Sequence, residues 1–389
     1  MYLETSPFGF GPIGTRILFG CGLASRLGTE LLERGWKRAF VLTDPGVAAA
    51  GISDHVVRGL RNAGIDLEVF SEVPAETSAQ LCERLAVAAK DFKVDVIVGL
   101  GGGSVLDTAK AIATALTNPK PLTSYKGLGN VERAAFPMVA VPTTAGTGSE
   151  ASIWIVLFDD EAGVKLGIGS PHVVPVLAIC DPELTVTLPP SITASSGLDA
   201  LAHAVESYTN NAWNPISDAL TLKAVELIGE HLRGAVRNGR RLEHRYGMML
   251  GATLAAMGMN DTRLGLGHAI AMFLGYRPWR VPHAVAVAVL LPYVMEFNYL
   301  GATRRFARLA RALGEPVDGL TERDAARRAV QAVQTLINDV GMNVRLGVFG
   351  LTASDLDGIA ERALQTDNAT VNPRLVTKAD IVEILKSAL

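Results

Sequence analysis

The sequence predicts an α/β domain, a parallel sheet with helices on both faces, followed by an all-helical domain. Three observations carry this. Between residues 16 and 182 short β-rich runs alternate with helical patterns, and strands separated by helices pair in parallel. Inside that stretch one apolar strand runs straight into Gly101, Gly102 and Gly103, and a helix starts near Ser104. After Asp181 and Pro182 the composition changes and the patterns are helical almost to the end. The boundary falls at 185/186, giving domains 1–185 and 186–389, and 389 residues are enough for two sizeable cores.

Composition removes several classes of function. Hydrophobic residues make up 49%, yet no uninterrupted apolar run reaches the length that crosses a bilayer. No basic stretch followed by an apolar one and a cleavage site is visible at the N-terminus, so a soluble cytoplasmic protein is expected, with no membrane partner. The net charge of -3 argues against a nucleic-acid partner, which would need a basic face. Cys21, Cys82 and Cys180 are scattered, which suits buried reduced thiols better than a disulfide framework or a thiolate metal site.

In chain order, strands are expected at 16–19, 39–43, 67–70, 95–100, 138–142 and 177–180, with helices such as 22–34 and 78–92 between them. The run 153–158 is also β-like and reads as an antiparallel addition. Asp44 closes the second strand, where a carboxylate can accept from an adenosine ribose and repel a 2′-phosphate, favouring NAD over NADP. The competing reading is a cap on the turn at Pro45 and Gly46. The run VDVIVGLGGGSVLDTAK carries Gly101, Gly102, Gly103, Ser104 and Asp107. Its glycines let the backbone approach a ligand, and amides at a helix start attract phosphate. Alone, such a cluster fits a tight turn equally well. A second loop, VPTTAGTGSEAS, sets Thr143, Thr144, Thr147 and Ser149 among small glycines just after another strand. Two such loops at strand ends of one sheet point to a dinucleotide, because sheet ligands bind at the carboxyl ends of strands. Lys165, in VKLGIGS, reads on its own as a surface lysine.

Residues 185–196, with Pro189 and Pro190, read as the crossover. Helices follow at 198–209, 215–233, 242–258, 265–273, 282–298, 304–313, 322–337 and 378–387, and Pro292 should kink or end the fifth. Asp199 and His203 stand four apart on one helical face. His268, in LGLGHAIAM, and His283, in VPHAVAVAVLLP, have apolar neighbourhoods where an unpaired imidazole is costly. One carboxylate and three imidazoles suit Fe(II) or Zn(II) with a position left for a substrate oxygen. His55, His231 and His244 read as surface residues, and His172 fits either role.

At these residues the chain resembles the iron-containing (group III) alcohol dehydrogenase family, nearly end to end. GGGSVLDTAK resembles its pyrophosphate segment and PTTAGTGSE its second cofactor loop. KLGIGSPHVVPVLAICDPELT resembles the next block and implies cofactor contact for Lys165. GLDALAHAVESY, GLGHAIAM and VPHAVAVAVLLP resemble the metal blocks, implying that Asp199, His203, His268 and His283 are ligands. The resemblance implies a dehydroquinate synthase-like architecture, a site in the interdomain cleft, and a homodimer or larger homo-oligomer. Four departures stand out: Met272 replaces a second histidine usual four residues after the third ligand, one residue is inserted before His283 within GYRPWRVPH, Ala284 replaces a glycine, and Ala75 replaces an asparagine after Pro74.

The reaction this implies is reversible hydride transfer between NAD and a small alcohol or aldehyde. Arg277 and Trp279 are candidates for the substrate mouth, and Arg277 with Arg280 would favour an anionic aldehyde, such as a semialdehyde acid or a phosphonoaldehyde. A dehydroquinate synthase-like lyase would need cations beside the metal helices, which are poor in them. Metal-free maleylacetate reductases lack the ligand set, and a non-catalytic binding protein is the remaining alternative.

Overall fold

Short runs of Val, Ile, Leu and Ala build the first half of the chain. The structure, a computed structural model, describes residues 8, 14–276 and 278–389. Its strands are β1 (Arg16–Phe19), β2 (Arg38–Leu42), β3 (Asp66–Phe70), β4 (Val96–Gly101), β5 (Gly127–Leu128), β6 (Met138–Pro142), β7 (Trp154–Asp159), β8 (Val164–Gly169) and β9 (Leu177–Cys180). Among the described residues six form one sheet in the order β1-β9-β6-β4-β2-β3, and every pairing in it is parallel. β4, β6 and β9 are buried at every residue. That is why they read as continuous apolar runs: a parallel strand covered on both faces has no polar side to show. β3, at the edge, has no buried residue.

The strand order reverses between β2 and β4. From β2 the chain steps outward to β3, then returns to β4 and continues through β6 toward β9. Such a switch opens a crevice beyond the carboxyl ends of the two strands. Asp44 follows β2, Gly101–Gly103 end β4, and Thr143 follows β6, whose Pro142 is in register with Gly101.

The β-like run at 153–158 is β7, which pairs antiparallel with β8 in a second sheet ordered β5-β8-β7. Lys165 therefore lies on a strand. Gly163, at φ +67°, turns the chain between β7 and β8 where an L side chain would be strained.

The helices are α1 (Leu27–Glu33), α2 (Pro45–Ala49), α3 (Ile52–Asn62), α4 (Ala79–Asp91), α5 (Gly103–Thr117), α6 (Pro190–Thr209), α7 (Pro215–Arg237), α8 (Leu242–Thr262), α9 (Leu266–Leu274), α10 (His283–Asn298), α11 (Thr303–Ala312), α12 (Glu322–Asp339), α13 (Leu356–Leu364), α14 (Asp367–Thr370) and α15 (Lys378–Ala388). Leu27, Leu31, Val56 and Leu60 share a core with Val41, Val98, Val141 and Ile179 of the sheet. One expectation is corrected. Much of the supposed crossover is the first part of α6, with Pro190 at the first helical position, where a missing N–H costs nothing. Pro292 does not end α10, which continues to Asn298 with 286–292 buried.

The described chain divides into two compact units, 14–196 with Gly234–Thr253, and Gly197–Arg233 with Leu254–Leu389. No helix among the described residues is long and apolar enough to cross a membrane. Cys82 and Cys180 are buried free thiols, whereas Cys21, just past β1, is exposed, against expectation. His231 is buried in α7, also against expectation.

Candidate metal centre and cofactor cradle

In the helical unit α6 supplies Asp199 and His203, α9 supplies His268, and α10 opens with His283 after Pro282. Alanines and glycines around them keep these segments slim, and the small neighbours leave room for imidazoles. Ligand atoms of Asp199, His268 and His283 lie within 4.8 Å of one another. His203 stands beside them: its Nε2 is 3.9 Å from Asp199 Oδ2. Its ring stacks on that of His268 with centroids 4.7 Å apart, and the His268 and His283 rings are 5.5 Å apart.

Two buried atoms here, Asp199 Oδ1 and His268 Nε2, have no hydrogen-bond partner. They face each other at 3.6 Å, beyond hydrogen-bond distance. Leaving a buried polar atom unsatisfied costs about 1–3 kcal/mol. One cation between them would satisfy both, and imidazole nitrogen with a hard carboxylate oxygen is a donor set for a divalent transition metal. The residues present therefore fit the metal.

Sequence reasoning missed Glu206. It lies on α6, three residues beyond His203 and seven beyond Asp199, on the same face. Its Oε2 is 2.7 Å from His268 Nδ1 and accepts from the Gly265 amide at 2.7 Å, while Oε1 accepts from the Gly267 amide at 2.6 Å. A third polar residue at that spacing in an otherwise small and apolar helix was the available signal.

Burial raises the Asp199 carboxyl, but the facing imidazoles of His203, His268 and His283 outweigh it and hold Asp199 well below the usual carboxylate range. Burial alone would lower His268, yet the Glu206 carboxylate and then Asp199 lift it to about 9. That lies above the ordinary value of 6.5, so in metal-free protein this stabilisation is complete below pH about 6.5 and is lost as pH rises through about 9. The thermal midpoint of chelated protein is expected to fall across that window. A midpoint that stays flat or rises there would contradict this electrostatic account.

In the sheet unit the glycine cradle sits at the start of α5, whose first amides no side chain caps. A Cβ on Gly103 would stand 2.5 Å from Thr147 Cγ2, and one on Gly102 would stand 3.2 Å from Thr144 Cγ2. The loop after β6 thus packs directly on the glycines, with Thr143 N donating to Gly101 O at 3.0 Å. Ser149 Oγ donates to Asp107 Oδ1 at 2.5 Å and the Val156 amide to Oδ2 at 2.9 Å. Asp107 therefore ties α5 to the second loop and to β7. Ser104 Oγ donates to Ala75 O at 2.6 Å, and Ser149 N donates to Thr147 Oγ1 at 3.3 Å. Asp44 caps α2, its Oδ1 accepting from Gly46 N and Val47 N. Lys165 is a largely buried side chain with Nζ 3.8 Å from Glu76 Oε1. Uncapped amides at the helix start fit a pyrophosphate.

Met272 is half-buried one turn after His268 on α9, and Trp279 is half-buried too. Arg277 lies outside the described residues.

Two sequence models match the chain: "Iron-containing alcohol dehydrogenase" over residues 14–182, and "Fe-containing alcohol dehydrogenase family, C-terminal" over residues 193–389. The chain belongs to the iron-containing alcohol dehydrogenase family. It is 36% identical over 373 residues to the NAD-dependent methanol dehydrogenase of Bacillus methanolicus, covering 96% of this chain and 97% of that protein. It is 35% identical over 375 residues to the sulfoacetaldehyde reductase of Bilophila wadsworthia (strain 3_1_6), covering 96% and 97%. A solved structure of 1,3-propanediol oxidoreductase superimposes with a TM-score of 0.93 at 36% identity, over 96% of this chain and 97% of that one. The fold is the parallel sheet with flanking helices and the helical C-terminal domain of that family, related to dehydroquinate synthase. The protein is an oxidoreductase, a nicotinamide-linked alcohol dehydrogenase or aldehyde reductase, in a family that uses a metal.

Proposed function

We propose that this chain interconverts a small alcohol and its aldehyde or ketone, with NAD as hydride carrier and Fe(II) or Zn(II) at the histidine centre. The observation that carries the reading is the convergence of Asp199, His268 and His283 within 4.8 Å, with two buried ligand atoms left unsatisfied. Asp199, His203, His268 and His283 would hold the metal. When bound, such a cation supplies the Lewis acidity that lowers the pKa of an alcohol oxygen. The rest falls to the chain. Gly101, Gly102, Gly103 and the first amides of α5 bind the pyrophosphate. Thr143, Thr144, Thr147 and Ser149 line the adjoining segment, and Asp107 holds that loop to α5. Asp44 selects NAD against NADP, and Lys165 contacts the nicotinamide half. Met272 can neither take nor give a proton, so the proton leaves through ribose hydroxyls or water.

On this reading residues 1–185 bind the cofactor and residues 186–389 the metal, in a cytoplasmic homodimer or larger homo-oligomer. The sulfoacetaldehyde reductase among the relatives supports a second substrate class, anionic aldehydes, with Arg277 and Arg280 as the residues that would meet the charge. The test is an NADH-coupled panel of neutral and anionic aldehydes on protein loaded with Fe(II), with Zn(II), or with no metal. Turnover only in the metal-loaded arms is expected. Equal turnover without metal, or none with any aldehyde, would overturn the proposal.

A further inference from the structure

We propose that Glu206 is the positioning residue of the metal centre: its carboxylate sets which nitrogen of His268 faces the cation. The inference rests on the metal reading above. Glu206 is only 4% exposed, and three polar hydrogens converge on it, from Gly265 N, Gly267 N and His268 Nδ1. An ionised carboxylate only accepts. Nδ1 therefore carries a proton toward Glu206, and when the ring is neutral the Nε2 lone pair points the other way. Nε2 is the buried atom with no hydrogen-bond partner, and it faces Asp199 Oδ1. A histidine with one nitrogen bound to a carboxylate and the other left for a cation is the arrangement that orients ligands and raises their basicity.

The glycines flanking Leu266 are shaped to this carboxylate. A Cβ on Gly267 would stand 2.5 Å from Glu206 Oε1, and one on Gly265 would stand 3.1 Å from Glu206 Cδ. The N-cap of α9, Gly265, has no side chain to cap with, and Glu206 reaches over from α6 to take that place. A carboxylate at a helix start is also favoured by the helix dipole. One group thus ends α9 and fixes the ring that the same helix presents in its first turn.

A purely structural cap would make the same contacts to Gly265 and Gly267, so the test reads the metal. Glu206→Gln keeps the size but replaces one acceptor oxygen with an NH2 donor. Metal-free wild type and variant are titrated with Co(II), following visible absorption and competition with a chelator. Circular dichroism and NADH affinity serve as controls for the fold. The variant is expected to bind Co(II) about 10–100-fold more weakly and to show a shifted visible band, with both controls unchanged. Should Glu206→Gln fail to fold, Glu206→Asp, which keeps the charge and shortens the reach, is titrated in the same way with the same expectation. Wild-type Co(II) affinity and band in the variant, with or without a lower thermal midpoint, would overturn the proposal. Wild-type protein that takes up no Co(II) would overturn the metal reading itself and this inference with it.

Discussion

His268→Ala protein is expected to lose roughly 10³-fold or more in kcat/KM for any aldehyde the wild type reduces. The figure follows from the several kcal/mol a bound cation contributes to stabilising charge at an oxygen, with each 1.36 kcal/mol worth about tenfold. His268 is the histidine whose removal does most. It stacks on His203, faces Asp199 at 3.6 Å and shares the Glu206 carboxylate with the start of α9. Without it Asp199 loses a neighbouring imidazole and Glu206 a donor, both in a buried site. Removing the metal from wild type should cause a loss of the same size, and chelating the variant should add little. Groups that act as a unit do not add. Steady-state rates on wild type and variant, each with and without chelator, check this. A chelated wild type that keeps its rate would contradict it.

Gly103→Ala is expected to cut kcat/KM by about 10²-fold through the cofactor, leaving metal uptake unchanged. The added methyl carbon would lie 2.5 Å from Thr147 Cγ2 and 2.8 Å from Thr147 Oγ1. Neither side can give easily: Gly103 opens α5, and Ser149, two residues after Thr147, is bonded to Asp107 on that helix. The loop or the helix start must shift, and misplacing a reactant by about 1 Å can cost about 10²-fold. Overpacking also costs about 1–3 kcal/mol of stability. The discriminating measurement is NADH affinity by fluorescence beside Co(II) uptake. Wild-type NADH affinity in the variant would show that the cradle does not hold the cofactor.

Much of this was legible in the sequence because burial on both faces leaves a plain signal. The buried strands of the parallel sheet read directly from their apolar runs, and the glycines at 101–103 mark where the backbone must come close. What was missed has physical causes. Residues 190–196 carry Pro, β-branched and hydroxyl residues, weak helix formers in isolation. Their helix is set by tertiary partners, with Arg245 donating to Thr193 Oγ1 and to Leu188 O. β8 hides behind its glycines, and pairing with β7 and β5 makes it a strand. The long-range role of Asp107, tying α5 to Ser149 and Val156, leaves no local mark in the sequence. Asp44 also caps its turn through Oδ1, as Pro45 and Gly46 allowed. Glu206 escaped because a glutamate in a helix is usually solvated. Its partners, Gly265 and Gly267, are some sixty residues away in the chain, and no local pattern joins them to it.

On the proposed reading Asp199, His203, His268 and His283 hold one divalent cation. Anomalous diffraction from crystals of Zn(II)- or Fe(II)-loaded protein tests it most directly. A single peak per chain is expected, with an oxygen of Asp199 and one nitrogen of each histidine at about 2.0–2.2 Å. A peak bound elsewhere, or loaded crystals with density at none of these side chains, would contradict it.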